Sequence, residues 1–381
     1  MFLKSGKVFR TGIGMRISGT LAIVVASAVA QSGPKPPTDP QPRLAETVFQ
    51  NVQVLKGMPA YQMKSTMQFI SGSLGVQCDY CHTVPRFSDD DKKTLQTARK
   101  MIQMELAINK ANFDGRMVVT CYTCHRGSTK PLATPILSEE AKAKPPQAAG
   151  SSTIQLTANQ IVDKYVQALG GAAAIQKLSS LVEKGTIDLG GNVLPLEITA
   201  KAPDKRIFVM RFPNGASVTA YDGHSAWVAL PATPPRDLYG GDYEGAKLEA
   251  DFYFPLNIRK VFTELRMEQP EKINDRETNV IAALNEGKPP VKLYFDQQSG
   301  LLVRIVYYTE SPIGLSPTQT DFYDYRDAGG VKIPFRWTSG KMVGRNAITI
   351  EKVEVNVPVE DEKFAKPELP PLPPPKPSIE D

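Results

Sequence analysis

The sequence predicts a small α-helical domain followed by an α+β domain with a large antiparallel, half-barrel-like sheet. Residues 43–130 contain two Cys-x-x-Cys-His motifs, and a segment of helical apolar periodicity precedes each motif. Residues 157–362 open with a helical pattern and continue as alternating strands separated by turns, which predicts the second domain. Two proline-rich stretches, residues 131–156 and 363–381, are predicted to be a linker and a mobile tail.

Residues 1–30 have the pattern of a cleavable export signal. Basic residues and no acidic residue precede an apolar stretch, Leu21 to Ala30, which ends in an Ala-x-Ala cleavage pattern. This stretch is short for a membrane span. We therefore expect a periplasmic or secreted protein that has no transmembrane segment after the signal is cleaved.

The net charge of +5 belongs mainly to the signal, which carries four of the basic residues. Without the signal the net charge would be +1. A chain of this charge, with no basic tract, lacks the electrostatic footprint of a nucleic-acid-binding protein. We therefore expect no nucleic-acid partner.

Two helices are predicted in the first domain. The first begins near Pro59 and ends around Gly72, and its apolar face contains Met63, Met67 and Ile70. The second is predicted to begin at the acidic run Asp89–Asp91, whose carboxylates favour a helix N-terminus, and to stop near Asn109. Each helix therefore leads along the chain into one Cys-x-x-Cys-His motif.

The two motifs contain all four cysteines and two of the three histidines of the chain: Cys78, Cys81 and His82, then Cys121, Cys124 and His125. This spacing is the attachment signature of c-type haem. The two thiols of each motif add to the haem vinyl groups, and the adjacent histidine becomes the proximal ligand of the iron. The sequence therefore predicts two covalently bound haem c groups.

Other uses of the cysteines fit the pattern less well. Zinc can take Cys and His ligands, but it gives no reason for a histidine directly after each second cysteine. Four cysteines are few for a disulfide framework in a chain of 381 residues. A thioredoxin-like redox pair would need one Cys-x-x-Cys near a βαβ pattern, which the sequence does not display.

Methionine is the natural source of the remaining iron ligands. The spare histidine, His224, lies far along the chain in a predicted turn, so the two haem sites cannot both have two histidines. A thioether ligates haem iron and raises its reduction potential. The candidates on the two helices are Met63, Met67, Met101 and Met104. Methionines on an apolar helix face also serve as packing, and spacing alone does not decide between these roles.

Several segments in order around the motifs resemble a known family. They are Asn51-Val-Gln-Val-Leu-Lys-Gly57, Ser73-Leu-Gly-Val-Gln-Cys78, Thr97-Ala-Arg-Lys-Met-Ile-Gln-Met104, Ile108-Asn109 and Val119-Thr-Cys-Tyr-Thr-Cys-His-Arg-Gly127. Over residues 48–131 the chain resembles the photosynthetic reaction-centre cytochrome c subunit family. In that family the helix before each haem motif supplies a methionine ligand. The resemblance therefore implies Met67 as ligand of the first haem and Met101 as ligand of the second.

The chain departs from this family in two respects. Reaction-centre subunits have four haem motifs in two dihaem halves, whereas this chain has one such half. Between Asn109 and Cys121 full-length members carry a histidine that serves a haem of the other half, and this chain has none there. We therefore interpret the domain as a reused dihaem unit and expect no docking to a reaction centre.

The second domain is predicted to be a meander of about nine strands with helices on one side. Thr157 and Gln160 form a capping box for the first helix, and a segment near residues 244–265 is predicted to be helical and to cover one face. The predicted strands are Val182–Leu189, Val193–Lys201, Arg206–Phe212, Val218–Asp222, Val291–Phe295, Leu301–Tyr308, Phe322–Tyr325, Val331–Trp337 and Ile348–Val355. Trp227 and Trp337 are predicted to be core residues.

The strand pattern, the Tyr221-Asp-Gly turn and the segment from Phe295 to Arg304 are similar to lipoprotein-carrier (LolA-like) half-barrels. That resemblance implies a concave face able to hold an acyl chain or another apolar ligand; a scaffold or a partner-docking module is the alternative.

Three functions follow. The first is an electron carrier with two His/Met haems and redox partner proteins. The second is a haem enzyme, such as a peroxidase or reductase, with one open iron site. The third is an apolar-ligand or lipid-binding protein with a redox module. The sequence contains no catalytic constellation, so an electron carrier is favoured over a catalyst.

Overall fold

The structure is a computed structural model that describes residues 42–131, 156–341 and 344–367. These three ranges belong to one compact unit. The predicted export signal, nearly all of the predicted linker and most of the predicted tail lie outside the described residues. Within the described ranges, no helix combines the length and the hydrophobicity that a membrane crossing requires.

The region that carries both motifs is helical, as predicted. Its helices are α1 (Ala45–Val48), α2 (Met63–Leu74), α3 (Lys93–Asn112) and α4 (Cys121–His125), with 3-10 turns at Ala60–Gln62 and Cys78–Tyr80. α2 ends where Gly75 takes a left-handed conformation, and the Gly75 amide closes the last turn on the carbonyl of Ser71. Both predicted helices are present, and α3 continues past its predicted end at Asn109.

The prediction that the acidic run starts α3 was wrong. The helix begins at Lys93, and its N-cap residue, Lys92, provides no side-chain cap. Each carboxylate of the run has another partner in or beside the loop that follows the first motif: Asp89 pairs with Arg86 at 2.6 Å, Asp90 with Arg99 at 2.5 Å, and Asp91 accepts from Thr83 at 2.7 Å. None of these partners lies in the first turn of α3. The acidic run therefore holds the loop in place and does not cap the helix.

The second region is built on one sheet of fourteen antiparallel strands. The strands are β1 (Ser180–Asp188), β2 (Val193–Lys201), β3 (Lys205–Phe212), β4 (Gly215–Tyr221), β5 (Ala226–Ala229), β6 (Arg236–Asp237), β7 (Glu264–Met267), β8 (Glu271–Ile273), β9 (Arg276–Leu284), β10 (Val291–Asp296), β11 (Leu302–Ser311), β12 (Gly314–Ala328), β13 (Val331–Lys341) and β14 (Gly344–Val355). The predicted α+β class with a large antiparallel sheet is confirmed.

The sheet is a meander that folds back on itself. Its order is β6-β5-β4-β3-β2-β1-β14-β13-β12-β11-β10-β9-β7, and β8 pairs with β9. The first strand therefore lies beside the last, with β1 antiparallel to β14 in the middle of the sheet. Strands β6 and β7 form the two ends of this order, so the sheet is an open half-barrel.

The strand count exceeds the predicted nine because β5 to β9 were missed. Four of these strands are short, with two to four residues each. β9 is longer, but its four consecutive residues Val280 to Ala283 are all buried, because both faces of the strand are covered. A strand buried on both faces lacks the apolar–polar alternation by which strands are recognised in a sequence.

Helices cover one face of the sheet. They are α5 (Ala158–Ala168), α6 (Ala172–Gln176), α7 (Gly240–Ala250) and α8 (Phe254–Val261). The predicted capping box of Thr157 and Gln160 starts α5, and α5 packs Ile161 and Tyr165 against Phe295 in the main core. The predicted helical segment at residues 244–265 divides into α7 and α8, while its end lies in β7.

The predicted positions of the tryptophans and of His224 are confirmed. Trp227 and Trp337 are 2% and 9% exposed, whereas His224 is exposed in the turn between β4 and β5. The Trp227 indole N–H donates to the carbonyl of Phe364 at 2.9 Å. Phe364, inside the predicted tail, is fully buried, so the packed chain extends at least to this residue.

The helical region and the sheet share a hydrophobic core. The hairpin between β11 and β12 inserts Ile313, which is fully buried, among Ala45, Phe69 and Ile102. Gly314 lies against the same Phe69 ring, and a Cβ on Gly314 would come within 2.3 Å of a ring carbon. The hairpin tip therefore fixes α2 on the sheet through direct packing.

Candidate haem sites

The first motif lies in a 3-10 turn between α2 and α3. Cys78 is exposed and Cys81 is half-buried, and burial raises the pKa of the Cys81 thiol. The start of α3 holds the turn, because the Thr94 hydroxyl donates to the carbonyl of Tyr80 at 2.6 Å. The two thiols of the motif therefore have a fixed backbone between them.

The two motif histidines have the same hydrogen bond. Nδ1 of His82 lies 2.9 Å from the carbonyl oxygen of Phe87, and Nδ1 of His125 lies 2.9 Å from the carbonyl oxygen of Ser128. A carbonyl can only accept, so Nδ1 carries the proton in each ring. The lone pair of each neutral ring is therefore on Nε2, which is the form and the orientation that a metal-ligating histidine requires.

The second motif is itself a short helix, α4. Thr120 and Thr123 form a capping box at its N-terminus. The loop before it is held by Asn109 of α3, which is 5% exposed. The Asn109 amide nitrogen donates to the Val119 carbonyl at 2.6 Å, and its oxygen accepts from the Val118 and Val119 amides at 3.1 and 2.9 Å.

A glycine pair brings the end of α2 against the second motif. Gly75 follows α2 with φ of 67°, and a Cβ at this position would lie 2.2 Å from the carbonyl oxygen of Gly127. The amide of Gly127 in turn donates to the carbonyl of Ser73 at 2.9 Å. Only a residue without a side chain permits this approach, which sets the distance between α2 and the end of α4.

A cavity of about 340 Å³ lies beside the second motif. Cys121, Cys124 and His125 line it from α4, and α3 contributes mainly apolar side chains. Cys81 of the first motif and the neighbouring Tyr80 line the same cavity. The structure therefore brings both motifs to one apolar space between α3 and α4.

The methionine candidates are divided between two places. Met101 and Met104 both line the cavity that contains His125, and both are exposed in part. Met67 packs in the core cluster that includes Phe69 and Cys121, and it is not among the residues that line this cavity. The choice of Met67 and Met101 as ligands therefore stays a prediction from the resemblance.

One functional candidate was missed in the sequence. Glu105 is 4% exposed, lines the cavity and accepts a hydrogen bond from the Cys121 thiol at 2.9 Å. Its other carboxylate oxygen is buried and has no hydrogen-bond partner in the part of the chain that the structure describes. Burial raises the pKa of Glu105, and burial together with Glu105 raises the pKa of the Cys121 thiol. The helical spacing of Ile102, Glu105 and Asn109 could have revealed it, because it places a charge on a buried helix face.

The donor set fits covalently attached haem. The four thiols are free, the two histidines present Nε2, and an apolar cavity adjoins the second motif. Within the described residues, no group of three or more His, Cys, Asp and Glu side chains comes together to hold a metal ion alone. Cys78, Cys81 and His82 would hold one haem, and Cys121, Cys124 and His125 the other.

Comparison with known proteins agrees with this site. The family described as "Photosynthetic reaction centre cytochrome C subunit" matches residues 4–171. Cytochrome c-554 of Chloroflexus aurantiacus is 38% identical over 89 residues, which are 22% of this chain and 21% of the relative. The reaction-centre cytochrome c subunit of Thermochromatium tepidum is 37% identical over 92 residues (23% of this chain and 22% of the relative), and that of Rubrivivax gelatinosus is 35% identical over 114 residues (28% of each).

The matches cover between 21% and 28% of the length of these relatives. The predicted resemblance to the reaction-centre cytochrome c subunits is confirmed for the part of the chain that carries the motifs. This relationship supports a c-type cytochrome with covalently bound haem.

Solved structures similar to the sheet region were also found. A LolA superfamily protein from Nitrosomonas europaea has a TM-score of 0.38 at 14% identity. The similarity covers 56% of this chain and 99% of the length of that protein. A DUF1329 family protein from Desulfovibrio piger has a TM-score of 0.40 at 14% identity, with coverages of 55% and 97%.

Proposed function

We propose that this protein is an extracytoplasmic dihaem c-type cytochrome that passes single electrons between redox partner proteins. Cys78, Cys81, Cys121 and Cys124 would hold two haem c groups as thioethers. The export pattern of residues 1–30 supports a location outside the cytoplasm. When bound, each haem supplies a reversible one-electron iron couple whose potential depends on its ligands and burial.

One observation carries this proposal: both motif histidines donate Nδ1–H to a backbone carbonyl. The bonds to Phe87 and Ser128 orient His82 and His125 and keep the proton away from Nε2. The same arrangement in two motifs of different local structure, one in a 3-10 turn and one in a helix, has a common explanation if both rings ligate iron.

The methionine ligands follow from the family resemblance. Met67 would complete the first iron site and Met101 the second, which gives both irons His/Met ligation. Met101 is supported by its position on the wall of the cavity that contains His125. A histidine–methionine pair leaves no open position on the iron, which suits electron transfer and not bond chemistry on a substrate.

The two motifs are close enough to favour electron exchange between the haems. Cys81 of the first motif and Cys121 of the second line one cavity of about 340 Å³. Groups attached to residues that line one such space would lie near each other.

Visible spectra of the matured protein test the proposal. We expect low-spin haem in both oxidation states, a sulfur-to-iron charge-transfer band when oxidised, and no fast binding of carbon monoxide or cyanide. Iron and haem analysis should give two haems per chain, as the two motifs predict. A high-spin signal with rapid carbon monoxide uptake would instead identify a haem enzyme with an open iron site.

A second candidate function, the binding of an apolar molecule by the half-barrel, is favoured by a separate observation. A cavity of about 840 Å³ opens on the face of the sheet that α7 and α8 cover. Its size is within the range of small-molecule sites. Extraction of the purified protein with organic solvent, followed by mass spectrometry, tests whether a molecule is retained there.

A further inference from the structure

The half-barrel cavity has an apolar wall. Leu169, Ile198, Phe208, Phe254, Ile305 and Trp337 are representative of the side chains that line it. They come from the C-terminal end of α5, from α8 and from several strands, so the space lies between the helices and the sheet. Apolar side chains of this kind bind apolar ligands, and the polar and charged side chains that also line the cavity, among them Arg206, Lys332 and Lys341, decide which ones.

One of these polar groups is a buried carboxylate without a partner. Glu183 of β1 lines the cavity, is 8% exposed, and makes no hydrogen bond or ion pair with any of the described residues. Burial raises the pKa of Glu183 to about 7, against an opposing influence from Arg206. The Arg206 guanidinium is itself bonded to Glu249 at 3.0 Å, so it is already neutralised by another residue.

The neighbouring carboxylate differs from Glu183 in this respect. Glu249 of α7 accepts from Arg206 and also from the Tyr307 hydroxyl at 3.2 Å. Both of its oxygens therefore have donors, whereas those of Glu183 have none among the described residues. Glu183 therefore faces the cavity, where a ligand can supply the donor that the described residues do not.

A second unsatisfied group enters the cavity from the helical region. Gln68 of α2 lines the cavity, and its side-chain oxygen is buried without a hydrogen-bond partner among the described residues. Its neighbour in the sequence is Met67, the proposed ligand of the first haem. The cavity therefore has polar contacts on two separate elements, β1 and α2, and Gln68 is next in the sequence to a proposed haem ligand.

We propose that this cavity binds a hydroquinone-class molecule, with Glu183 accepting from a ring hydroxyl and Gln68 serving as a second polar contact for the ligand. The apolar wall accommodates the ring and a short alkyl chain. When it is ionised, Glu183 disfavours an anionic head group placed directly beside it, because two negative charges repel each other strongly in a medium of low dielectric. The redox-active class rests on the proposed function, since Gln68 lies beside the residue proposed to ligate the first haem.

Anaerobic titration calorimetry of the full-length, matured protein tests this inference. The haems are first reduced, so that the probe, decylubiquinol, is not consumed. We expect saturable binding of decylubiquinol and no comparable heat from dodecanoate, a fatty acid of similar chain length. The inference is overturned if decylubiquinol gives no binding or if dodecanoate binds as tightly.

Two variants test the assigned contacts. Glu183→Leu and Gln68→Leu should each weaken decylubiquinol binding by roughly tenfold or more, because each removes a buried hydrogen bond to the ligand. Both replace an unsatisfied polar group by an apolar one of similar size, so the fold should persist, which circular dichroism checks. Unchanged affinity in both variants would overturn the assignment.

A matched control lies on the adjacent strand. Glu197 of β2 is not among the cavity-lining residues and pairs with Lys363 at 2.9 Å. Glu197→Leu should leave decylubiquinol binding unchanged, and an equal loss in this variant would overturn the assignment of Glu183. Visible spectra of the same samples test the haems separately, so a colourless protein that still binds decylubiquinol would contradict the proposed function and not the cavity.

Discussion

At the scale of single residues, hydrogen-bond partners decide what each side chain can do. In His82 and His125 the Nδ1–H is bonded to a carbonyl, which leaves Nε2 as the nitrogen that could bind a metal. Glu105 and Glu183 are both buried carboxylates, but Glu105 has the Cys121 thiol as a donor and Glu183 has no donor among the described residues. None of these differences depends on residue type alone.

Met101→Ala is expected to remove the sulfur ligand of the second haem. The charge-transfer band of the oxidised protein should fall to about half, because one of the two proposed His/Met sites is lost. Met104→Ala is the matched control, since Met104 lines the same cavity one helical turn away. If Met104→Ala removes the band and Met101→Ala does not, the ligand assignment is reversed.

Glu183→Gln is expected to change how stability depends on pH. The pKa of Glu183 is raised from 4.5 to about 7 by burial, so the unfolded chain releases this proton at lower pH than the folded chain. Protonated Glu183 therefore contributes fully to the stability of the fold below pH 4.5, and this contribution is lost as the pH rises through 7. The full loss is roughly 3 kcal/mol, taken from the difference between the two pKa values.

Urea unfolding of the protein and of Glu183→Gln from pH 4 to pH 8 measures this effect. The variant should lose less stability than the parent across this range. Parallel curves for the two proteins would show that Glu183 ionises normally in the fold.

At the scale of elements, α3 organises both motifs. Thr94 in its first turn bonds to the first motif, and Arg99 in its second turn bonds to Asp90 in the loop that follows that motif. Asn109 in its last turn holds the loop before α4. One helix therefore sets the positions of two motifs that lie on either side of it in the sequence.

Asn109→Ala should destabilise the protein by about 2–4 kcal/mol, because it removes three hydrogen bonds between a buried side chain and the loop. Asn112→Ala, one turn further along the same helix, removes only an exposed bond to the Ile108 carbonyl and should cost about 0.5 kcal/mol or less. Chemical denaturation measures both values. Equal costs would mean that the Asn109 bonds do not support the loop.

Gly75→Ala tests the contact between α2 and the second motif. The added Cβ would meet the Gly127 carbonyl oxygen at 2.2 Å, and the left-handed backbone would be strained as well. We expect a loss of about 2–5 kcal/mol from the two effects together. Gly57→Ala has a similar positive φ but open space around it, and should cost about 1–2 kcal/mol.

At the scale of the whole molecule, the helical region and the half-barrel are joined by packing. Ile313 of the β11–β12 hairpin belongs to the same core as Phe69 of α2 and Ile102 of α3. Gln68, beside Phe69, reaches the half-barrel cavity. Events in the cavity and at the proposed first haem site therefore share α2 as a common element.

Haem absorbance and tryptophan fluorescence should accordingly report one unfolding transition, because both tryptophans lie in the sheet region. Ile313→Ala should lower the stability by about 2–5 kcal/mol through the cavity it leaves in the shared core. Leu315→Ala, on an exposed side chain of the same hairpin, is the control. Separate transitions in the parent protein would contradict a cooperative core.

The sequence alone determined the features that depend on local pattern. Two Cys-x-x-Cys-His motifs predicted the haem attachment residues, alternation predicted the strands with one exposed face, and Thr157 with Gln160 predicted the start of α5. The acidic run at Asp89–Asp91 misled, because its carboxylates pair with Arg86, Thr83 and Arg99 and do not cap the first turn of the helix that follows.

Only the tertiary structure decided which groups meet. The carbonyl partners of His82 and His125, the burial of Glu105 and Glu183, and the insertion of Ile313 all follow from chain segments packed around them. A local pattern records which side chains a segment offers, whereas desolvation and hydrogen bonding depend on what surrounds each side chain after folding. The motifs that predict haem attachment could therefore be read from the sequence, whereas the polar contacts of the cavity could not.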